Sequence, residues 1–542
     1  MALSGYIKIS RIINSIIKQG SIIKYDRLKE LGLRTAIKLV MRFCYLIIAL
    51  ALLFPPHIFA HELPDLGDVS QATISPHQER QIGLEIMRQI RADPSYLDDP
   101  EIAGYLNNLG YRLTSNSSEA RSDQSFEFFA LQDSSINAFA LPGGFMGFNS
   151  GLIIAAQSES ELAGVMAHEI AHVTQKHLAR MISGQKYSML KSLAALAVAI
   201  IAARSNPQAG QAVLIGTQAS AIQSQLDFTR KHEKEADRIG LKILQDADFD
   251  PQGMSAFFER LQKAGRFHEN GAPSYLRTHP LTYERLADIQ NRTRGMKYRQ
   301  VPDSIDFKLV RAKLRAMQGR PKNAVEQFEV RLQDKRYANE AVERYGYIVA
   351  LLRDKKYIKA DEELSRLYTN LQMGNSDLLL IDHKLGKTVQ VKNKHALAGA
   401  MIETLAANVK IQAGKITEAL IIYRTALNVY PQHRALIHGY ATALLQNQQA
   451  ETALKFINMQ LQLTRDDIHL YELQAQSYAA LGESMLQHHA QAEVYARQGH
   501  FDAAIEQLQI ALRSDNGNFY QVSSVEARLK QLQVMVEAEK KK

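Results

Sequence analysis

Apolar positions change their period several times along this chain, and each change marks a part of it. An unbroken apolar run from Phe43 to Phe54 is stopped by Pro55 and Pro56. QER at 78–80 opens a helical pattern carried by Ile82, Ile86 and Ile90, and a second helix is predicted from about Pro100 to Ser115. Strand-like segments then replace the helical period. FEFFAL at 126–131, INAFAL at 136–141 and FMGFN at 145–149 read as strands, with Pro142-Gly143-Gly144 as the turn before the last. Ser158-x-x-Glu161 reads as a capping box, and Leu162, Val165, Met166, Ile170 and Val173 give the following helix an apolar side to bury. A second apolar run, Leu193 to Ala203, precedes a turn at Arg204-Ser205-Asn206-Pro207 and a helical stretch from about Ala209 to Gln225. Eleven residues cannot span a bilayer, so this insert reads as a helical hairpin. It either joins the core, touches a membrane surface or holds an unfolded chain.

From about Pro302 onward the period is helical throughout and the sequence resembles itself. Ala419 and Ala453, in EALIIYRTAL and TALKFINMQL, are 34 residues apart, which is the tetratricopeptide period. A third copy, AAIEQLQIAL at 503–512, is displaced by 51 residues, as though half a repeat had been added. Gly319 stands five residues before Ala324, Lys355 five before Ala360 and Gly414 five before Ala419. The stretch from Asn370 to His395 interrupts the array. The expected fold class is α+β: a mostly helical domain with a small sheet, followed by an all-α tetratricopeptide-repeat solenoid whose concave side binds proteins.

Length and charge sharpen this picture. A chain of 542 residues exceeds one core and implies two or more domains. The net charge of +9 would suggest a nucleic-acid or anionic-membrane partner, but residues 1–60 hold nine Lys/Arg and two Asp/Glu, so most of the excess lies there. Nucleic-acid binding is excluded as the main role. Arg34, Lys38 and Arg42 ahead of a twelve-residue apolar run give the pattern of a signal peptide, with cleavage near Ala60. An uncleaved anchor is the alternative, and Met41 is an alternative initiator. Cys44 is the sole cysteine and lies inside that run, which leaves no structural disulfide.

The chemistry is concentrated in AHEIAHVTQKHLAR, from Ala167 to Arg180. His168, Glu169 and His172 form H-E-x-x-H, and on a helix two histidines four apart share a face and can bind one zinc ion. Glu169 is then placed to move protons as the general base of a hydrolase. Gln175 and Leu178 exclude the metzincin continuation. A third ligand is expected, since catalytic zinc usually takes three protein ligands and water. In RKHEKEADRIGLKIL, Glu233 and Asp237 share a helical face while Glu235 points elsewhere. Glu233 is the expected ligand and Asp237 the acceptor that orients a ligand histidine. Spacing does not separate Glu233 from His232, and ligand chemistry admits manganese or iron beside zinc.

AHEIAH, HEKEAD and THPLTYER together resemble the gluzincins that include HtpX-like proteases and CAAX prenyl proteases. With the repeats, the chain resembles the periplasmic beta-barrel assembly-enhancing protease family of Gram-negative bacteria, from about residue 61 to the end. The resemblance implies one Zn2+ per chain held by His168, His172 and Glu233. It also implies that His279 can act as a regulatory fourth ligand that displaces the catalytic water. Arg285 then contacts the active-site helices or a developing oxyanion, with a helix-start ion pair as the plainer alternative. The NAFALPGG segment would form a sheet edge for an extended peptide, Asn137 and Ala138 being the nearest backbone contacts, unless the hairpin is purely structural.

The expected organisation is an N-terminal extension and signal peptide at 1–60, a zinc metalloprotease domain at 61–300 and first repeats at 301–369. An interruption follows at 370–397, then further repeats at 398–535 and a frayed tail at 536–542. By resemblance the protein is a periplasmic zinc metalloendopeptidase that degrades misfolded or stalled outer-membrane beta-barrel proteins. The repeats would recruit those clients or the beta-barrel assembly machinery, with peripheral contact to the outer membrane. The alternative is a chaperone or assembly factor whose protease site is mostly latent. A membrane-bound prenyl-protein protease is disfavoured by the lack of a second adequate span.

Overall fold

Three short strands fix one side of the catalytic region. β1 (Glu127–Leu131), β2 (Ala138–Leu141) and β3 (Phe145–Asn149) form a sheet in the order β1-β3-β2. β1 runs parallel to β3, pairing Glu127 with Phe145 through Leu131 with Asn149. β2 runs antiparallel to β3, pairing Ala138 with Phe148 through Leu141 with Phe145. The turn between β2 and β3 is a single 3-10 turn at Pro142–Gly144 in which Gly143 has φ +75°, a left-handed conformation that favours glycine. The computed structural model describes residues 75–119, 124–182, 230–267, 274–297, 299–373, 381–382, 387–388, 396–514 and 516–540. The signal-peptide reading, the insert at 193–225 and most of the interruption at 370–397 lie outside the described residues.

Helices surround the sheet. α1 (Pro76–Ala92) carries a full capping box between Ser75 and Gln78, and α2 (Pro100–Ser115) is capped by Asp99, whose carboxylate accepts from the Glu101 and Ile102 amides. A short helix, α3 (Ser150–Ala155), which the sequence pattern did not predict, joins β3 to α4 (Glu159–Thr174). Ser158 caps α4 by accepting from the Glu161 amide, but the reciprocal bond of the expected box is displaced by one residue: Glu161 accepts from Gln157 N at 2.6 Å. Arg260 draws the same carboxylate sideways, with bonds of 2.8 and 2.5 Å. Every residue of α4 from Glu159 to His172 is buried. Such a helix is a central strut of the core, with α6 (Arg230–Asp246) and α7 (Gln252–Phe267) packed against it. A short α5 (His177–Ile182) follows α4, and α8 (Ser274–Thr278) and α9 (Tyr283–Arg294) complete the catalytic part.

Helical pairs follow: α10 (Ile305–Met317), α11 (Pro321–Gln333), α12 (Glu340–Arg353) and α13 (Tyr357–Met373), then a two-residue ladder of β4 (Ile381–Asp382) with β5 (Lys387–Thr388). The array resumes with α14 (Ala396–Gln412), α15 (Ile416–Val429), α16 (Arg434–Gln446), α17 (Ala450–Leu463) and α18 (Ile468–Ala480). It ends with α19 (Ser484–Gln498), α20 (Phe501–Leu512) and α21 (Phe519–Lys540). The five-residue offset seen in the sequence has a backbone cause. Gly319, Lys355, Gly414, Gln448 and Gly499 all have φ between +55° and +85°, and Ala324, Ala360, Ala419, Ala453 and Ala504, five residues on, are all buried. Each left-handed residue ends one helix, and each alanine lets the next helix approach closely. Helix α19 is the added element that stretches the last spacing.

Catalytic part and repeats lie in one compact unit, Val69–Lys542. Helix α2 touches α10, α14 and α16, and Lys313 of α10 sits half-buried 2.5 Å from both Asp99 and Glu101 at the start of α2. Beside this contact a cavity of about 1300 Å³ opens between the repeats and α1–α2, lined by Arg88, Asp98, Tyr345, Asn408, Arg434 and His469 among others.

Candidate active site

Helix α6 lies so close to α4 that a Cβ on Gly240 would stand 3.1 Å from His168 N. That approach brings the carboxylates of α6 onto the histidine face of α4. His168 Nε2 and His172 Nε2 are 3.0 Å apart. Glu233 Oε2 lies 3.4 Å from the first and Glu233 Oε1 3.5 Å from the second. With His279, these residues form a buried group whose ligand atoms all lie within 4.8 Å of one another, the sole such group among the described residues.

The protons on both rings can be placed from the groups nearest their Nδ1 atoms. Asp237 Oδ1 is 3.1 Å from His168 Nδ1, and a carboxylate only accepts, so the neutral ring carries its proton there and leaves Nε2 bare. His172 Nδ1 faces His177 Nδ1 at 2.9 Å. Two bare imidazole nitrogens 3.0 Å apart, beside a carboxylate, repel unless positive charge lies between them. Tetrahedral bonds of about 2.0–2.1 Å put donor atoms ~3.3 Å apart. The observed spacings of 3.0, 3.4 and 3.5 Å therefore suit a divalent cation of zinc's size.

Electrostatics point the same way. Burial alone would lower the His168 pKa, but Asp237 and Glu233 outweigh it and hold the ring up to about 9. His172 is driven well down by burial, with His168, His279 and His177 adding to that effect against Glu233. Burial pushes Glu233 up, yet His279, His168 and His172 together bring it well below the usual carboxylate range. The pocket favours positive charge near Glu233.

Glu169 follows His168 on α4, fully buried, and neither carboxylate oxygen has a hydrogen-bond partner among the described residues. His279 Nε2 stands 3.5 Å from its Oε1, while His279 Nδ1 is 3.2 Å from Glu233 Oε1. Tyr275 stacks on His279 with ring centroids 4.7 Å apart, and the α8 segment is pinned to the strand side: Tyr275 N and Ser274 Oγ both donate to Ile136 O at 3.0 Å. Asn137 is buried next to that carbonyl, and its own carbonyl accepts from Asn149 N. Ala138 is buried on edge strand β2.

Arg285 is fully buried and spends its guanidinium on the site's carboxylates: Nε and Nη2 on Asp237 at 2.8 Å each, and Nη1 near Glu233 Oε2, also at 2.8 Å. Nη1 also donates to Pro280 O, which ties the His279 loop to α6. His232 lies outside the four-residue group and stacks on His177, centroids 4.6 Å apart and planes 18° from parallel. His177 is the residue that pattern reading missed. Five residues beyond His172, it would face away on a continuous helix, but Lys176 at φ +52° breaks the helix and turns His177 back. Glu235 Oε2, on the far side of α6, meets His177 Nε2 at 3.2 Å and Arg180 Nη1 at 3.0 Å.

Residues 100–293 match Peptidase family M48, and residues 410–477 match a tetratricopeptide repeat. The chain is 33% identical over 482 residues to the beta-barrel assembly-enhancing protease of Escherichia coli strain K12, covering 88% of this chain and 92% of that one. It is 42% identical over 253 residues to a putative beta-barrel assembly-enhancing protease of Vibrio cholerae, covering 47% of this chain and 52% of that one. Over 169 residues it is 32% identical to the mitochondrial metalloendopeptidase OMA1 of Schizosaccharomyces pombe, covering 31% of this chain and 47% of that one.

Proposed function

This chain belongs to the family of beta-barrel assembly-enhancing proteases, a branch of the M48 metallopeptidases, and from that premise we propose that it is a periplasmic zinc endopeptidase that removes misfolded or stalled outer-membrane barrel proteins. The observation that carries the reading is the convergence of His168, His172, Glu233 and His279 beside a buried carboxylate, Glu169, that lacks a hydrogen-bond partner among the described residues. His168, His172 and Glu233 would hold the ion. A divalent cation there supplies Lewis-acid activation of water and of the scissile carbonyl. Glu169 takes the proton from the attacking water and returns one to the leaving amine, a role for which a carboxylate with no hydrogen-bond partner among the described residues is suited. Asp237 holds His168 in its tautomer, and Arg285 holds Asp237. The catalytic domain is assigned to 61–300 and the repeats to 301–369 and 398–535, with the repeats recruiting clients or assembly machinery.

A second reading, a chaperone or assembly factor with a mostly latent site, is favoured by the α8 segment. It lies against Ile136 beside the edge where Asn137 and Ala138 would meet a peptide, and it carries His279 onto Glu169 and Glu233. The deciding experiment is cleavage of a denatured outer-membrane protein by purified 61–542, with zinc content measured, comparing wild type, Glu169→Gln and His279→Ala. A gated endopeptidase gives weak wild-type cleavage, faster cleavage by His279→Ala and none by Glu169→Gln with zinc retained. If zinc is retained in all three, none cuts, and Glu169→Gln still supports barrel assembly in cells, the proteolytic reading falls to the chaperone one.

A further inference from the structure

A ligand histidine binds a metal ion only through a nitrogen that carries no proton, so whatever sets its tautomer sets its usefulness. For His168 that group is Asp237. For His172 the setting comes through an imidazole relay. Glu235 can only accept, and its Oε2 lies 3.2 Å from His177 Nε2. The proton of the neutral His177 ring is therefore on Nε2, and His177 Nδ1 is an acceptor. Across the 2.9 Å contact His172 must donate from Nδ1, which leaves its Nε2 bare and turned toward His168 and Glu233. Arg180 steadies Glu235 at 3.0 Å, and the near-parallel stack of His232 on His177 limits rotation of the ring. The backbone supplies the register: Lys176 in the left-handed region ends α4 and starts α5 with His177 facing back.

We propose that His177 is a positioning residue that fixes the tautomer and ring plane of His172 for metal binding, with Glu235 fixing His177 in turn. The inference rests on the metallopeptidase reading and deepens it.

The test is the zinc dissociation constant of the full chain, measured by competition with a chelator of known affinity, with kcat and KM on a denatured outer-membrane protein measured alongside. His177→Leu, close in size and without an acceptor, should bind zinc about 10–100-fold more weakly and lose kcat with KM little changed. His177→Asn, whose amide oxygen can accept from His172 Nδ1, should recover most of that loss, which a packing role would not produce. Wild-type affinity in a folded His177→Leu, or equal losses in the Leu and Asn variants, overturns the proposal while leaving the metallopeptidase reading intact. If His177→Leu does not fold, Glu235→Leu on the partly exposed end of the relay decides with His177→Asn. Leucine at 235 leaves His177 Nε2–H without its acceptor and frees the tautomer, so weakened binding in Glu235→Leu with near-native binding in His177→Asn supports the relay. Unchanged affinity in Glu235→Leu overturns it. A wild type that takes up no zinc overturns both readings.

Discussion

Arg285 grips Asp237 through two parallel bonds of 2.8 Å, Nε to Oδ2 and Nη2 to Oδ1, with both side chains almost wholly out of solvent. The pair joins the first turn of α9 to the middle of α6, and Asp237 passes the constraint on to His168. Removing one member of a buried pair strands the other charge. Arg285→Met should lower the unfolding free energy by about 3–5 kcal/mol in urea titration. A loss under about 1 kcal/mol would show that the fork does not hold these elements together.

Gly240 sets the distance between α4, which carries His168 and His172, and α6, which carries Glu233. A Cβ there would stand 3.1 Å from His168 N and 3.0 Å from Met254 Cε. The methionine can swing aside, but the α4 backbone cannot. Gly240→Ala should cost about 1–3 kcal/mol of stability and weaken zinc binding as Glu233 is pushed from His168. Native zinc affinity in this variant would mean that α4 and α6 can part without disturbing the ligands.

The apposed Nε2 atoms of His168 and His172 should make stability depend on metal. At free zinc about 1,000 times the dissociation constant, the folded state should gain about 4 kcal/mol over the chelated protein. Thermal unfolding with and without chelator measures this, and His168→Ala should abolish the difference.

His433, at the start of α16, gives a pH dependence remote from the metal. Burial, helped by Lys313, lowers its pKa to about 4, against an ordinary value near 6.5 in the unfolded chain. Between those values the unfolded chain binds a proton that the folded one refuses. Stability is therefore full above pH ~6.5 and falls as pH drops toward 4, by about 3 kcal/mol. His433→Asn should flatten that slope in denaturation curves collected from pH 7 to 4, and an unchanged slope would place the sensitive group elsewhere.

Much of this site could be read from spacing, because its central pieces lie within single helices. His168 with His172, and Glu233 with Asp237, are pairs four residues apart, and α4 and α6 run unbroken through them. His177 escaped because helical arithmetic fails at Lys176, where the backbone turns left-handed. Glu235 does point away from Glu233, but its partners, His177 and Arg180, come from an element whose direction no local pattern fixes. The strands were legible by composition, yet the central place of β3 and its parallel pairing with β1 are long-range choices. Likewise the reciprocal bond expected at Ser158 moved to Gln157, where Arg260, 99 residues away, competes for Glu161.

The turns between repeat helices come in two grades. Gly319 and Gly414 have open space where a Cβ would sit, so backbone handedness alone accounts for glycine there. Lys355 and Gln448 hold the same handedness with a side chain attached, at φ +58° and +57°, which costs roughly 1 kcal/mol each. One lies on either side of the interruption in the array. Backbone strain is thus spread unevenly along the array: Lys335, Lys355 and Gln448 hold a left-handed turn against their own side chains, while Gly319 and Gly414 hold the same turn at no such cost.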